Sequence, residues 1–178
     1  MIPKSPEHLD HESFVIREAT SADVANLARL HVVTFIEAHG GPGPTFETRE
    51  RQWREIFAKA DGSGFCFVAE RENGELAGFA RGVPYTDELP GYDGELNKIY
   101  VLRQYHRRGL GRLLVGHVAE RFLERGITSM LLFGDARSPS NGFYEHLEAE
   151  RLLTERGEFH GGYGWRDLRK LAARCLTR

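Results

Sequence analysis

The chain has 178 residues, 40% of them hydrophobic and 28% charged, which is typical of one soluble globular domain. Its formal net charge of −2 at pH 7 provides no general attraction for nucleic acid, and no apolar run approaches the roughly 20 residues of a membrane-spanning helix. The cysteines, Cys66 and Cys175, lie far apart and no Cys/His cluster has ligand spacing, which favours a reducing cytoplasm and argues against a bound metal.

The first third of the chain predicts a strand followed by two helices. The first 13 residues are polar and contain two prolines, so we expect a flexible tail ahead of a single domain over 14–178. Residues 14–18 (FVIRE) predict a strand, and the apolar residues after it fall at helical spacing until the glycine-proline run 40–44. A second helix is expected to begin at Thr48.

The middle of the chain predicts three strands. Two β-rich runs, 64–70 (GFCFVAE) and 75–83 (ELAGFARGV), are joined across Asn73-Gly74, a dipeptide typical of tight antiparallel hairpins. A loop that contains proline and glycine then leads to 95–101 (ELNKIYV), which predicts the next strand.

The last part predicts helices and strands in alternation. A helix is expected over 110–126, followed by a buried strand at 129–133 (SMLLF) and a short helix at 138–147. Two final strands are expected to flank a turn at Gly161-Gly162. The pattern after Trp165 fits either a strand or a helix.

A glycine-rich turn precedes the helix over 110–126. In Arg107-Arg108-Gly109-Leu110-Gly111-Arg112 the glycines let backbone amides approach an anion, and the helix adds its unpaired N–H groups. The arginines can add charge-assisted hydrogen bonds to phosphate. The residues match neither a P-loop nor a dinucleotide fingerprint, whose third small residue is replaced here by Leu114. A pyrophosphate site and a tight turn with solvated arginines both fit this local pattern.

Two segments resemble the GNAT N-acetyltransferase family. The first, His106-Arg107-Arg108-Gly109-Leu110-Gly111, is similar to motif A, which reads Gln or Arg, two residues, Gly, one residue, then Gly or Ala; His106 departs from it. The second, FYEHL at 143–147, is similar to the family's Phe-Tyr-Glu-x-Leu-Gly, with Ser138 in place of an upstream Asn and Glu148 in place of the Gly. The order of predicted strands and helices also fits, so the resemblance covers most of the chain.

The resemblance implies a fold class and a reaction. The implied fold is α/β (an α+β mixed sheet) of the GNAT acyl-CoA N-acyltransferase type, with a central, mostly antiparallel sheet that splays between strands 4 and 5 and is flanked by helices. The implied activity is direct transfer of the acetyl group of acetyl-CoA to a primary amine of a small molecule or peptide, without a metal, and a homodimer is implied as well. Two alternatives stay open: a non-catalytic acetyl-CoA sensor or interaction module of the same fold, and a binding domain with a basic face.

The resemblance also implies which residues contact acetyl-CoA. Backbone groups of Ile99, Tyr100 and Val101 are expected to receive the coenzyme arm and the acetyl carbonyl. The other expected coenzyme contacts come from the two family-like segments: His106, Arg107, Arg108, Gly109, Leu110, Gly111, Arg112, Ser138, Ser140 and Tyr144. Tyr144 occupies the position of the family's general acid, and its hydroxyl, with an ordinary pKa of about 10, can protonate the departing sulfur.

Residues for the amine acceptor are expected on three segments. Glu95 begins a strand where many relatives place the base that deprotonates the amine through water, and Asn97 shares its face and can orient the substrate. Walls of the acceptor pocket are expected from residues on both sides of the cleft: Glu37, His39, Phe46, His160, Tyr163 and Trp165. Each of these also fits an ordinary surface or core position.

Overall fold

The computed structural model describes residues 13–59 and 61–177, so nearly all of the tail expected at 1–13 lies outside the described residues. The framework is a seven-stranded sheet in the order β1-β2-β3-β4-β5-β7-β6. The strands are β1 (Phe14–Glu18), β2 (Phe65–Arg71), β3 (Leu76–Pro84), β4 (Gly94–Val101), β5 (Met130–Leu132), β6 (Glu150–Leu153) and β7 (Phe159–Trp165). Every neighbouring pair is antiparallel except β4 and β5, which are parallel.

Helices cover both faces of this sheet. Within the described ranges they are α1 (Val24–His39), α2 (Phe46–Ala58), α3 (Leu110–Glu124), α4 (Asn141–His146) and α5 (Leu168–Leu176). On one face α3 and α5 pack together, and Phe122 of α3 lies in the same core as Met130 of β5. On the other face Trp53 of α2 packs against Phe79 of β3, with 5.3 Å between ring centres. The mostly antiparallel mixed sheet with flanking helices confirms the expected fold class.

Local chemistry sets most of the element boundaries. The hairpin between β2 and β3 turns at Asn73-Gly74 as predicted, and Gly74 has φ +84°.

The start predicted for α2 at Thr48 is wrong by two residues, because the helix begins at Phe46. Thr45 caps it by accepting a hydrogen bond at Oγ1 from the Thr48 amide at 3.2 Å.

The turn predicted at Gly161-Gly162 is wrong, because both glycines lie inside β7. The chain instead reverses between β6 and β7 in the segment 154–158, where Gly157 has φ +77°. Gly161 serves a tertiary contact, since a Cβ there would lie 2.5 Å from the backbone of Asp135 in the loop after β5. The segment after β7 forms α5, so the alternative left open by the sequence resolves to a helix.

β4 and β5 diverge after a short contact. Their parallel pairing is confined to Gly94 with Met130 and Glu95 with Leu131, although β4 continues to Val101. Among the described residues, the rest of β4 therefore has no strand partner on that side. The expected splay between strands 4 and 5 is confirmed, and it leaves backbone donors and acceptors of β4 facing a gap where a ligand can pair with them.

Candidate active site

The turn before α3 presents unpaired amides to open space. Arg107 and Gly109 both adopt left-handed backbone conformations, with φ of +64° and +83°. The first helical hydrogen bond of α3 runs from the Leu113 amide to the Gly109 carbonyl at 3.0 Å, so the amides of residues 110–112 have no helical acceptor. A Cβ on Gly109 would have no atom within 4 Å. The turn therefore fits an anion such as a pyrophosphate.

The side chains on this turn are partly engaged within the protein. His106 donates from Nε2 to the Val101 carbonyl at 2.8 Å, which fastens the turn to the end of β4. Arg108 lies over the ring of Tyr105, 5.3 Å from the ring centre. Both Arg107 and Arg108 are exposed, so their charge borders the open space in front of the amides.

Two further residues of the turn serve the packing of α3. The side chain of Leu110 is buried, with only 3% of its surface exposed. Arg112 donates from Nη1 to the carbonyl of Cys175 at 2.7 Å and so caps the end of α5. The side chain of Arg112 is therefore used within the protein and not free for phosphate, and both residues can contact a coenzyme through their backbone amides.

The backbone of β4 alternates in direction between β3 and the gap. The amide of Leu102, just after β4, donates to the carbonyl of Ala77 in β3 at 2.9 Å. Because backbone groups alternate along a strand, those of Ile99 and Val101 face the gap, whereas those of Tyr100 face β3. The expectation that the Tyr100 backbone also receives a coenzyme arm is therefore wrong, and Tyr100 contributes its side chain to the opposite face of the sheet.

α4 places Tyr144 beside the glycine-rich turn. A Cβ on Gly111 would lie 3.2 Å from the ring of Phe143, so α4 packs against the first turn of α3. Tyr144 rests against Tyr163, with 5.4 Å between ring centres. Burial raises the pKa of Tyr144 to about 12, with smaller contributions from Tyr100 and Tyr163. No described residue forms a hydrogen bond with the Tyr144 hydroxyl, which is thus a protonated donor available to a ligand.

The loop from β5 to α4 is held by a residue that sequence reasoning did not assign. Asn141 donates from Nδ2 to the carbonyls of Asp135 at 3.1 Å and Ala136 at 2.9 Å. Ser138 accepts a hydrogen bond at Oγ from the Ser140 amide at 3.2 Å, so its side chain is used inside the loop, whereas Ser140 is exposed. The available signal for Asn141 was an asparagine at a predicted helix start, where such side chains bond to nearby backbone groups.

A β-bulge directs polar side chains of β4 toward α1 and α2. Lys98 lies opposite Arg81 and Leu96 lies opposite Gly82, so Asn97 is an extra residue in β4. Such a bulge brings neighbouring side chains to one face of the strand and is frequent beside active sites.

Hydrogen bonds connect these polar side chains. Asn97 donates from Nδ2 to Glu95 Oε1 at 3.1 Å, which confirms the predicted shared face of the two residues. The Oδ1 of Asn97 accepts from Arg81 Nη1 at 2.9 Å and from Lys98 Nζ at 3.3 Å. Glu95 also belongs to the last residue pair before β4 and β5 separate, so it lies at the base of the gap.

The residues expected to wall the acceptor pocket near α1 and α2 do not lie together in the structure. His39, at the end of α1, lies with Nε2 3.3 Å from Tyr100 Oη and so reaches the polar face of β4. Glu37 accepts the amide of Arg103 at 2.9 Å and thereby anchors α1 to the turn after β4. Phe46 is half-buried at the first position of α2. Of these three, the structure brings only His39 into contact with another candidate residue.

The residues expected on the opposite wall mainly support α4. Tyr163 is fully buried and donates from Oη to Glu145 Oε1 at 2.9 Å. Trp165 is also buried and donates from Nε1 to the Leu147 carbonyl at 2.8 Å. Their expected place on a pocket surface is therefore wrong, because both rings form the core under α4. His160 is exposed at the start of β7.

Neither a metal cluster nor a membrane span occurs in the part of the chain that the structure describes. No three His, Cys, Asp or Glu side chains among residues 13–59 and 61–177 are grouped so that they could hold a metal ion. In the same ranges no helix combines the length and the apolarity needed to cross a membrane.

Comparison with known sequences identifies one family. Residues 27–148 match the Acetyltransferase (GNAT) family. The uncharacterized N-acetyltransferase YuaI of Bacillus subtilis (strain 168) is 32% identical over 169 residues, which cover 88% of this chain and 95% of YuaI.

Solved structures of the same kind share the fold. The PaiA N-acetyltransferase of Thermoplasma acidophilum, in complex with coenzyme A, matches with a TM-score of 0.65 over 85% of this chain and 98% of its own, at 14% identity. An acetyltransferase of the GNAT family from Staphylococcus aureus Mu50 matches with a TM-score of 0.71 over 88% of this chain and 99% of its own, at 15% identity. At these identities the likeness shows the fold alone.

Proposed function

Because the chain belongs to the acetyltransferase (GNAT) family, we propose that it transfers the acetyl group of acetyl-CoA directly to a primary amine of a small molecule or peptide. The observation that carries this function is the packing of Phe143 on Gly111. That contact brings α4, which carries Tyr144, next to the anion-binding turn. A proton donor for the departing sulfur would thus lie close to a cradle for the coenzyme phosphates.

Acetyl-CoA would be held by backbone groups more than by side chains. The amides of residues 110–112 and the left-handed turn at Gly109 suit the pyrophosphate. Exposed Arg107 and Arg108 add positive charge beside it, and Ile99 and Val101 offer backbone groups to the coenzyme arm. The structure from Thermoplasma acidophilum contains coenzyme A, which supports this use of the shared fold.

The proposed reaction moves one proton from the amine and one to the sulfur. The acceptor reacts as the neutral amine: its nitrogen attacks the acetyl carbonyl carbon, and as the carbon–nitrogen bond forms a water molecule beside Glu95 carries one proton from that nitrogen to the carboxylate. As the carbon–nitrogen bond forms and the carbon–sulfur bond breaks, Tyr144 gives its hydroxyl proton to the leaving thiolate. Asn97 orients Glu95 through their 3.1 Å hydrogen bond. Proton exchange with solvent then restores Tyr144 and Glu95, and the products are coenzyme A and an N-acetylated amine.

We infer that the acceptor enters between the end of α1 and β4. His39 reaches Tyr100 at this entrance, and Asn97 lies deeper on the same face of β4. Glu37 and Tyr163 support the two sides from behind through their hydrogen bonds to the turn after β4 and to α4.

The test is a calorimetric titration of the purified protein with acetyl-CoA, with NADH and ATP as comparison ligands. We expect micromolar binding of acetyl-CoA alone, lost in Gly109→Trp, because an indole would fill the space in front of the amides. Gly126→Trp is the matched control, since Gly126 has a φ of +77°, has no atom within 4 Å of its Cβ position and lies just after the other end of α3.

The outcomes separate the competing functions. Binding that Gly126→Trp keeps and Gly109→Trp loses would support the coenzyme site, and acetylation of any member of an amine panel would then support the enzyme. Acetyl-CoA binding without transfer to any amine would favour a sensor or interaction module. If the wild-type protein does not bind acetyl-CoA, the proposed function is wrong.

A further inference from the structure

Positive charge exceeds negative charge around a small cavity between α1, α2 and β4. The cavity has a volume of about 260 Å³, and Trp53 forms part of its wall. Its basic lining residues are Arg49, Lys59 and Lys98, whereas Glu55 is its acidic lining residue. A larger depression between the start of α1 and the later part of α2 is balanced, because its arginine, Arg54, pairs with Glu50 at 3.3 Å.

Arg49 is a buried cation without a carboxylate partner among the described residues. Only 8% of its surface is exposed. Its Nη1 donates to Gln52 Oε1 at 3.0 Å, and its guanidinium lies 5.1 Å from the ring centre of Phe35. The Nε atom is buried and has no hydrogen-bond partner in the part of the chain described. The guanidinium therefore has donor capacity left for a ligand.

Lys98 and His31 complete the polar wall of the cavity. Lys98 is half-buried and donates to Asn97 Oδ1 at 3.3 Å, but no described carboxylate lies within ion-pair distance of its Nζ. Burial lowers the pKa of Lys98, and the charges of Arg81 and Arg49 lower it further, whereas the charge of Glu95 opposes this shift. His31 Nδ1 is buried without a partner among the described residues. Burial lowers the pKa of His31 to about 3, so the ring is neutral and offers a hydrogen bond without charge.

Buried cations that outnumber the nearby carboxylates are unfavourable, because they lose hydration and repel one another. Glu55 and Glu95 offset part of this charge, and an oxyanion between Arg49 and Lys98 would offset more of it and could accept from the unused Nε donor of Arg49.

Hydrogen-bonded side chains connect the wall of the cavity to the candidate reaction centre. Lys98 Nζ and Glu95 are connected through Asn97, by hydrogen bonds of 3.3 Å and 3.1 Å. The ring of His31 lies 5.3 Å from that of Tyr100, whose hydroxyl meets His39 at the entrance. The anion-binding side chains of the cavity and Glu95 therefore lie on the same face of β4, two hydrogen bonds apart.

We propose that the acceptor carries an oxyanion, a carboxylate or a phosphate, which binds Arg49 and Lys98 in this cavity while its amine is presented to Glu95. The assignment of this group to the acceptor rests on the proposed acetyltransferase function, whereas the oxyanion site can be tested without catalysis. The volume of about 260 Å³ is below the roughly 300–1,000 Å³ of pockets that hold drug-sized ligands, which favours a small acceptor.

The first experiment titrates the protein with inorganic phosphate and, separately, with acetate at constant ionic strength, with chloride as the comparison anion. Trp53 lines the cavity, so its fluorescence reports binding there. The chain has one other tryptophan, Trp165, under α4, so the titrations are repeated in Trp165→Phe, where the signal comes from Trp53 alone. We expect Arg49→Met and Lys98→Met each to raise the Kd of the better probe about tenfold or more. Arg51→Met is the matched control, because Arg51 is an exposed arginine on the same helix.

Folding of the variants is checked in the same series. Because Arg49→Met and Lys98→Met remove an uncompensated charge and keep the side-chain length, we expect thermal midpoints no lower than that of the wild-type protein without ligand. If either methionine variant does not fold, Arg49→Gln and Lys98→Gln replace the charge by a polar group and repeat the test.

The second experiment measures acetylation of three matched amines, which bear a carboxylate, its neutral amide or a phosphate. We expect a preference of about tenfold or more in kcat/KM for one of the two anionic acceptors, which identifies the oxyanion. Arg49→Met should remove that preference by raising the acceptor KM, without changing the KM of acetyl-CoA.

Different results would overturn the acetyltransferase function, the oxyanion site and the anionic substrate class. Absence of acetyl-CoA binding would overturn the acetyltransferase function, and the phosphate and acetate titrations would still decide whether the oxyanion site exists. Anion binding that is equal in wild type, Arg49→Met and Arg51→Met would overturn the site. Acetylation of neutral and anionic amines with equal efficiency would overturn the substrate class and leave the acetyltransferase function standing.

Discussion

Tyr144 is the residue whose removal we expect to separate chemistry from binding. Its hydroxyl has no described hydrogen-bond partner, and its ring packs on Tyr163, so Tyr144→Phe should keep the packing and the Kd of acetyl-CoA. We expect kcat to fall about 100-fold or more, because general acid catalysis of the leaving thiolate is lost. Tyr92→Phe is the control, since Tyr92 is a buried tyrosine whose hydroxyl likewise has no hydrogen-bond partner among the described residues, and it packs with Leu131 in a separate cluster. An equal loss of activity in both variants would contradict the acid role.

The raised pKa of Tyr144 also predicts the shape of the pH profile. A pKa of about 12 means that the hydroxyl keeps its proton well above the ordinary tyrosine value of 10. The rate of acetylation should therefore show no decrease near pH 10 from loss of this proton. Steady-state rates between pH 7 and pH 10.5 in the wild-type protein test this, with correction for non-enzymatic hydrolysis of acetyl-CoA.

His31 is expected to make folding stability depend on pH. Its pKa falls from 6.5 to about 3 through burial and through the charges of Arg49 and Lys98. Below pH 6.5 the unfolded chain binds a proton that the folded chain does not, so this contribution is complete above pH 6.5 and is lost as the pH falls toward 3. Between pH 7 and pH 5 the wild-type protein should lose about 2 kcal/mol more unfolding free energy than His31→Phe. Urea unfolding at both pH values measures the difference, and equal losses would show that His31 is not held neutral.

Single residues also show what the sequence could predict. Gly109 was recognisable because a glycine-rich turn before a helix has a local chemical use, whereas Tyr144 was recognisable because FYEHL at 143–147 resembles a GNAT family motif. Arg49 and Lys98 were not recognisable as a pair, because the residues around each of them in the sequence do not indicate that α2 and β4 bring their charges to one cavity. Their role depends on tertiary burial, which the sequence alone does not give.

Among the elements, the packing of α3 against α5 depends on Gly116. A Cβ there would lie 2.7 Å from Leu176 and 2.8 Å from the Cβ of Cys175, so Gly116→Ala must push the two helices apart. We expect the free energy of unfolding to fall by about 1–3 kcal/mol, as for other overpacked cores. Gly142→Ala in α4 is the control, because nothing lies within 4 Å of its Cβ position, and it should be neutral or slightly stabilising. Chemical denaturation compares them, and equal midpoints for both variants would show that α5 does not pack closely on α3.

The elements differ in how far the sequence predicts them. The β2–β3 hairpin and α3 were predictable because a local Asn-Gly turn and a helical spacing define them. The bulge at Asn97 was not predictable, because it arises from the pairing register between β4 and β3. Gly161-Gly162 misled the prediction for a related reason: Gly161 is needed where the loop after β5 approaches β7, and a glycine for close approach looks the same in sequence as a glycine for a turn.

In the whole molecule, β4 separates two surfaces that the proposed reaction must use together. The glycine-rich turn belongs to α3, which covers one face of the sheet, whereas the basic cavity lies under α1 and α2 on the other face. The gap between β4 and β5 is where the two can meet, and Glu95 lies at its base. The proposed sites for acetyl-CoA and for the anionic group of the acceptor therefore lie on opposite faces of the sheet and use different residues.

This arrangement predicts transfer within a ternary complex, without an acetylated protein. Both described cysteines are buried, and burial raises the pKa of Cys66 far above its ordinary range and that of Cys175 to about 11, so neither supplies a thiolate nucleophile. We expect initial rates at varied acetyl-CoA and amine to give intersecting double-reciprocal lines, and Cys66→Ala and Cys175→Ala to keep kcat within about twofold. Mass spectrometry of the protein with acetyl-CoA alone should detect no acetyl adduct on either thiol. Parallel lines, or an adduct that disappears in one alanine variant, would instead assign a two-step transfer through that cysteine.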